Sequence, residues 1–135
     1  MAVVSDILAG KGRHVITVSA QATAYQAALL MNEQRVGSLL VLDEGRLVGI
    51  LTERDIRVLE SFKDVDPAKT RVEDAMEPNV YTVSPDARLD EVATEMASKK
   101  YGSAVVMQNM HVVGIFTAVD AMSALSELLR TRLAH

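Results

Sequence analysis

Val48-Gly49-Ile50-Leu51-Thr52-Glu53-Arg54-Asp55 returns later in the chain as Val113-Gly114-Ile115-Phe116-Thr117-Ala118-Val119-Asp120. Both copies keep Val, Gly, Ile, Thr and Asp while the residues between them change. At one constant offset the agreement runs without a gap from Val15 and Val80 to Asp55 and Asp120, and fifteen of those forty-one positions are identical. Unrelated stretches do not agree so far, so the chain is one unit written twice. Thr17-Val18-Ser19 meets Thr82-Val83-Ser84, Met31 meets Met96, and Gly37-Ser38 meets Gly102-Ser103. With a small shift, Val4-Ser5-Asp6-Ile7-Leu8 also echoes Val72-Glu73-Asp74-Ala75-Met76 as a short helical lead-in. The turn formers and proline of 64–70 read as a linker. The expected division is repeat 1 over 1–63 with its lead-in helix, the linker 64–70, and repeat 2 over 71–135 with an extended last helix.

Within a repeat, Val15 to Val18 is a brief β-rich run, and Ala24, Ala27, Ala28 and Met31 recur at helical spacing over 22–34. Ser38 to Leu42 and Leu47 to Leu51 are short apolar strands joined by Asp43-Glu44-Gly45-Arg46, a charged hairpin turn with a glycine. Their continuous apolar character predicts that both faces are covered. Thr52 then opens a helix through Leu59, with Glu53 and Asp55 in the first turn where the helix dipole favours acids. The fold class is therefore α/β (α+β), two β-α-β-β-α repeats. The last helix, Val119 to Leu133, carries Met122, Leu125, Leu128, Leu129 and Leu133 as an apolar stripe, part of which can face a second subunit.

Composition narrows the function. Hydrophobic residues make up 49% of the 135, enough for a packed core. Fourteen basic against eighteen acidic residues, without a dense Lys/Arg stripe, disfavour nucleic acid as a partner. The absence of cysteine removes disulfides and thiolate chemistry and suits a reducing cytoplasm. The N-terminal apolar stretch is too short for a secretory signal, and no run approaches the ~18 residues a membrane span needs, so a soluble, cytoplasmic chain is expected.

The Gly-Ile-x-Thr-x-x-Asp pattern sits where a strand passes into a helix, the place at which ligands gather in α/β folds. A threonine hydroxyl and helix N-terminal amides can hold phosphate, and an acid one turn further in can accept both hydrogen bonds of a ribose diol. The same residues can equally cap their helices without any ligand. Retention of Gly, Thr and Asp in both copies favours the ligand, since capping alone also accepts Ser or Asn. Glu53-Arg54 places a guanidinium beside the first signature, where Ala118-Val119 gives the second none; it can pair with a phosphate or stand as a solvated charge.

On these motifs, together with Val36-Gly37-Ser38-Leu39-Leu40-Val41 and Tyr101-Gly102-Ser103-Ala104-Val105-Val106, nearly the whole chain resembles a tandem pair of CBS domains, the repeat named after cystathionine β-synthase. The resemblance implies that the repeats pack as a pseudo-two-fold module with two equivalent clefts between the copies, each able to take AMP, ADP, ATP, NAD(H) or S-adenosylmethionine, in modules that pair into flat homodimers. By that resemblance one cleft uses Thr52, Arg54 and Asp55 with Tyr81, Thr82 and Ser103. The other uses Thr117 and Asp120 with Ile16, Thr17, Gly37 and Ser38. The first is expected to be the stronger. The chain departs from the family at Lys99-Lys100-Tyr101-Gly102, where many members carry a basic or His-Pro-like element; helix-dipole pairing is the reading preferred for the two lysines.

Other features carry less. His14, His111 and His135 lack neighbours at metal-ligand spacing, so no metal is expected. No nucleophile motif, dinucleotide glycine fingerprint or P-loop occurs, so no catalytic residue is assigned. Met31, Met76, Met96 and Met122 read as core fillers. The leading expectation is a non-catalytic sensor whose bound nucleotide changes a dimer face read by an effector protein, as in energy sensing. A constitutive dimerisation scaffold with vestigial clefts is the alternative, and a nucleotide-processing enzyme comes third.

Overall fold

In the computed structural model, which describes residues 2–12 and 14–133, the duplicated pattern folds twice. The first copy forms β1 (Thr17–Ser19), α2 (Ala24–Gln34), β2 (Ser38–Asp43), β3 (Arg46–Thr52) and α3 (Glu53–Glu60). The second forms β4 (Thr82–Val83), α5 (Leu89–Lys99), β5 (Ser103–Gln108), β6 (His111–Thr117) and α6 (Ala118–Leu133). The lead-ins are α1 (Val4–Lys11) and α4 (Val72–Ala75). Each copy makes a three-stranded sheet, β1-β2-β3 or β4-β5-β6, with the first pair parallel and the second antiparallel. The parallel pair needs a crossover, supplied by α2 or α5, while the antiparallel pair closes through a two-residue turn. As expected, Gly45 sits in that turn at φ 79°, beside Glu44 at 51°.

Local chemistry sets the element ends. Thr23 caps α2 and exchanges hydrogen bonds with Gln26, so the helix starts two residues after the apolar pattern does. β1 starts late because pairing with β2 begins only at Thr17, Ile16 lending its carbonyl to the Leu40 N–H at 3.0 Å. Three consecutive residues of each central strand are buried, Leu39 to Val41 and Ala104 to Val106, which accounts for the unbroken apolar runs.

The packing units cut the chain differently from the repeats. One unit is Val15–Val80; the other joins Met1–His14 to Tyr81–His135. The division 1–63, 64–70 and 71–135 describes copies of the motif, whereas each lead-in packs on the body of the other copy. Val72 N–H donates to the Ala22 carbonyl at 2.8 Å, and the equivalent Val4 N–H donates to the equivalent Ala87 carbonyl at 3.0 Å. Glu73 to Ala20 and Ser5 to Pro85 repeat the match one residue on. Backbone groups left open after the first strand of each body are thus closed by a segment from the other repeat.

The signature glycines belong to this packing. A Cβ on Gly49 would lie 2.5 Å from Met76 Sδ and 2.9 Å from the Glu77 carbonyl oxygen; one on Gly114 would lie 2.8 Å from both Leu8 methyls. The core of the Val15–Val80 unit gathers Ala20, Ala24, Ala27, Met31, Leu39, Val41, Leu51, Ile56 and Val72. The other gathers Val4, Leu8, Val92, Met96, Ala104, Val106 and Phe116. Met31 and Met96 fill equivalent places, as expected of core methionines, whereas Met122 is no core filler: it stands 70% exposed on α6. The register partners Leu39 and Leu51 become Ala104 and Phe116, so a large-for-medium exchange on one strand is offset by a small-for-medium one directly opposite.

Candidate functional site

Thr52 ends β3 with extended backbone and caps α3. Its N–H and hydroxyl both donate to Asp55 Oδ2, at 2.8 and 3.0 Å, and the Asp55 N–H returns a bond to Thr52 Oγ1 at 3.2 Å. The capping reading of the motif is therefore realised in full, with an aspartate closing the box at the third helical position. It does not use up the carboxylate: Asp55 Oδ1 accepts no side-chain or backbone hydrogen bond among the described residues, and Asp55 forms no ion pair among them. Arg54 stands exposed one residue before it, also without an ion pair among the described residues.

The rest of each set is held on the same end of its sheet. In the Val15–Val80 unit, Ser38 is the register partner of Thr52, and the Gly37 carbonyl accepts the Glu53 N–H at 3.0 Å. Ile16 and Thr17 enter the neighbouring strand there, with Thr17 exposed. The other unit repeats this. Ser103 pairs with Thr117, the Gly102 carbonyl accepts the Ala118 N–H at 2.9 Å, and the Tyr81 carbonyl accepts the Val105 N–H at 2.9 Å. Thr82 is exposed beside it. Each expected ligand set, Thr52, Arg54 and Asp55 with Tyr81, Thr82 and Ser103, or Thr117 and Asp120 with Ile16, Thr17, Gly37 and Ser38, draws members from both units.

The two units differ in two respects that local sequence did not announce. Tyr81 and Tyr101 lie with ring centroids 5.2 Å apart and planes tilted by 30°, where the first copy has Ile16 and Val36. Partial burial pushes the Tyr81 phenol above its usual pKa, helped by the negative charge of Glu95 and by Tyr101, so it stays a neutral donor. The other difference is Lys11. Its ammonium donates to Asp120 Oδ2 at 2.7 Å and to the Ile115 carbonyl at 2.9 Å, while the Thr117 N–H also reaches Oδ2 at 2.8 Å. More than a hundred residues separate Lys11 from these partners. Only the lead-in alignment, which sets Lys11 against Asn79, hinted that it is peculiar to one copy.

Lys99 and Lys100 finish α5: Lys99 is 3.9 Å from Glu95, and Lys100 is the left-handed C-cap at φ 61°. An open pocket of about 270 Å³ between α2 and α3, lined by Ala28, Met31, Asn32, Glu53, Ile56 and Arg57, includes none of the expected ligand residues. Among the described residues no group of three or more His, Asp or Glu side chains could hold a metal ion, and no helix is long and apolar enough to cross a membrane. His135 lies outside the described residues.

A family model for the CBS domain matches residues 4–60 and again 72–127. Uncharacterized protein YlbB of Bacillus subtilis (strain 168) is 38% identical over 98 residues, covering 71% of this chain and 66% of YlbB, just under two thirds of that relative's length. The crystal structure of the CBS-domain containing protein ATU1752 from Agrobacterium tumefaciens superposes with a TM-score of 0.84 at 27% identity, covering 90% of this chain and 97% of that one. The CBS domain pair of protein MJ0100, solved in complex with 5′-methylthioadenosine and S-adenosyl-L-methionine, superposes with a TM-score of 0.82 at 29% identity, covering 94% and 98%.

Proposed function

Because the chain belongs to the CBS-domain family as a tandem pair of its repeats, we propose that it is a non-catalytic regulatory module that binds an adenosine-containing ligand at its signature residues and signals the bound state to a partner protein. The observation that carries this reading is the half-used Asp55 carboxylate. Thr52 fixes the side chain through Oδ2, and Oδ1 is left as a pre-oriented acceptor for a ribose hydroxyl. Arg54, one residue away and unpaired among the described residues, suits a phosphate or a carboxylate of the ligand. Binding of methylthioadenosine and S-adenosylmethionine by the MJ0100 pair supports adenosine as the common element.

AMP, ADP, ATP, NAD(H) and S-adenosylmethionine are the ligand classes proposed, with the backbone and hydroxyls of Ile16, Thr17, Gly37, Ser38, Tyr81, Thr82 and Ser103 contributing contacts alongside Thr117 and Asp120. The module acts in the cytoplasm as a homodimer. Support for pairing comes from α6, on which no residue is buried and Val119, Met122, Leu125, Leu128, Leu129 and Leu133 are 50–86% exposed. The same helix favours the second reading, a constitutive dimerisation scaffold.

Thermal unfolding with each of AMP, ADP, ATP, NAD, NADH and S-adenosylmethionine separates the two. A ligand at a hundredfold its dissociation constant adds about 2.7 kcal/mol of stability, and Asp55→Ala is expected to remove that shift. If none of the six moves the midpoint at millimolar concentration, the scaffold reading replaces the sensor.

A further inference from the structure

The two signatures are built from the same residues but satisfied by different donors. In the Val15–Val80 unit the Ile50 carbonyl accepts the Glu77 N–H at 2.9 Å, and the Thr52 hydroxyl completes the shell of Asp55 Oδ2. In the other unit the equivalent Ile115 carbonyl and the equivalent Asp120 Oδ2 are both taken by the Lys11 ammonium. Lys11 reaches them because α1 runs for eight residues where α4 runs for four, and because it is the last residue of α1, where a cation suits the helix dipole. The side chains of Lys11 and Asp120 are only 30% and 17% exposed, so their charge-assisted bond is partly shielded from water.

We propose that Lys11 is an internal occupant of the second signature: it engages the Asp120 carboxylate that a ribose diol needs, so that each chain takes its adenosine ligand at Asp55 and opens the Asp120 site only when Lys11 is displaced. This rests on the adenosine-binding reading above and adds to it a chain-specific inequivalence with a named cause. Asp120 Oδ1, like Asp55 Oδ1, accepts no hydrogen bond among the described residues, but a ribose diol that takes both carboxylate oxygens must displace Lys11 from Asp120 Oδ2 and leave the Ile115 carbonyl without its donor, whereas at Asp55 it needs only a turn of the Thr52 hydroxyl. The loss of affinity set by one such charge-assisted bond is about tenfold or more.

The test is calorimetric titration of the wild-type chain, Lys11→Met, Lys11→Arg, Asp55→Ala and the Lys11→Met/Asp55→Ala pair with ATP and with S-adenosylmethionine. Methionine keeps the aliphatic stem without the charge, and circular dichroism melts confirm that each variant is folded. Wild type is expected to bind one ligand per chain and Asp55→Ala to lose it. Lys11→Met should gain a second site at least tenfold tighter than any residual one, Lys11→Arg should keep it closed, and the double variant should bind through Asp120 alone. Two wild-type sites of equal affinity, or a folded double variant that binds nothing while wild type binds one ligand, would overturn the Lys11 proposal and leave the adenosine reading standing. Absence of binding by wild type and by every variant would overturn both.

Discussion

Thr52 and Asp55 show how one pair of side chains serves the helix and still leaves chemistry over. Their reciprocal bonds hold α3 in place, yet they spend a single carboxylate oxygen. At Asp120 the Lys11 ammonium takes the place on Oδ2 that the Thr52 hydroxyl fills at Asp55. Single positions elsewhere give sharp tests. In the second hairpin Asn109 and Met110 occupy left-handed backbone at φ 52° and 66°, and Met110 is 92% exposed. A side chain there brings strain without burial, where the first copy uses Gly45. Met110→Gly is therefore expected to raise stability by about 0.5–1 kcal/mol in urea titrations, after allowing for the extra freedom glycine gives the unfolded chain. Gly49→Ala is expected to cost about 1–3 kcal/mol, and more than Gly114→Ala, because a Cβ on Gly49 meets the Glu77 backbone whereas one on Gly114 meets only the movable Leu8 methyls. Equal losses at the two positions would contradict this.

At the scale of elements, the Leu39–Leu51 to Ala104–Phe116 exchange makes a compensation that can be measured. Phe116→Leu should cost about 1–2 kcal/mol by opening space next to Ala104. Ala104→Leu should cost about 1–3 kcal/mol by overfilling it. The double change restores the pair found in the other unit and should recover most of both losses in a double-mutant cycle; additive losses would show that the two positions do not share one space. This scale is also where the sequence was most legible. Helix starts, the glycine turn and the strand-to-helix junctions are written in residues within four positions of one another, and the duplication displayed the junctions twice, at Thr52 and Thr117. The exchange of lead-ins was not legible, because Val4 and Val72 carry the same local pattern whichever body they dock on. The role of Lys11 is hidden in the sequence for the same reason. Its partners are brought to it by packing, and a lysine at a helix end has an ordinary explanation. Likewise, the Thr and Asp of the signature stand out because both copies keep them, but which carboxylate oxygen the cap uses is visible only in the folded chain.

For the whole molecule, the exposed helix α6 and the proposed ligand site each give a test. If the chain pairs through α6 as proposed, Leu129→Glu, placed in the apolar stripe, is expected to lower the sedimentation coefficient to that of a monomer while leaving the Asp55 signature able to bind; an unchanged coefficient would remove α6 from the proposed interface. Occupancy of the proposed Asp55 site is read residue by residue in two-dimensional amide NMR of the labelled chain titrated with S-adenosylmethionine, and in parallel with ATP. The expected result is a saturable movement of the Thr52, Glu53, Arg54 and Asp55 amides at sub-millimolar ligand, with the Thr117 to Asp120 amides moving only at higher concentration, and loss of the first movement in Asp55→Ala. Saturable shifts confined to residues outside both signatures, or none with either ligand, would contradict it.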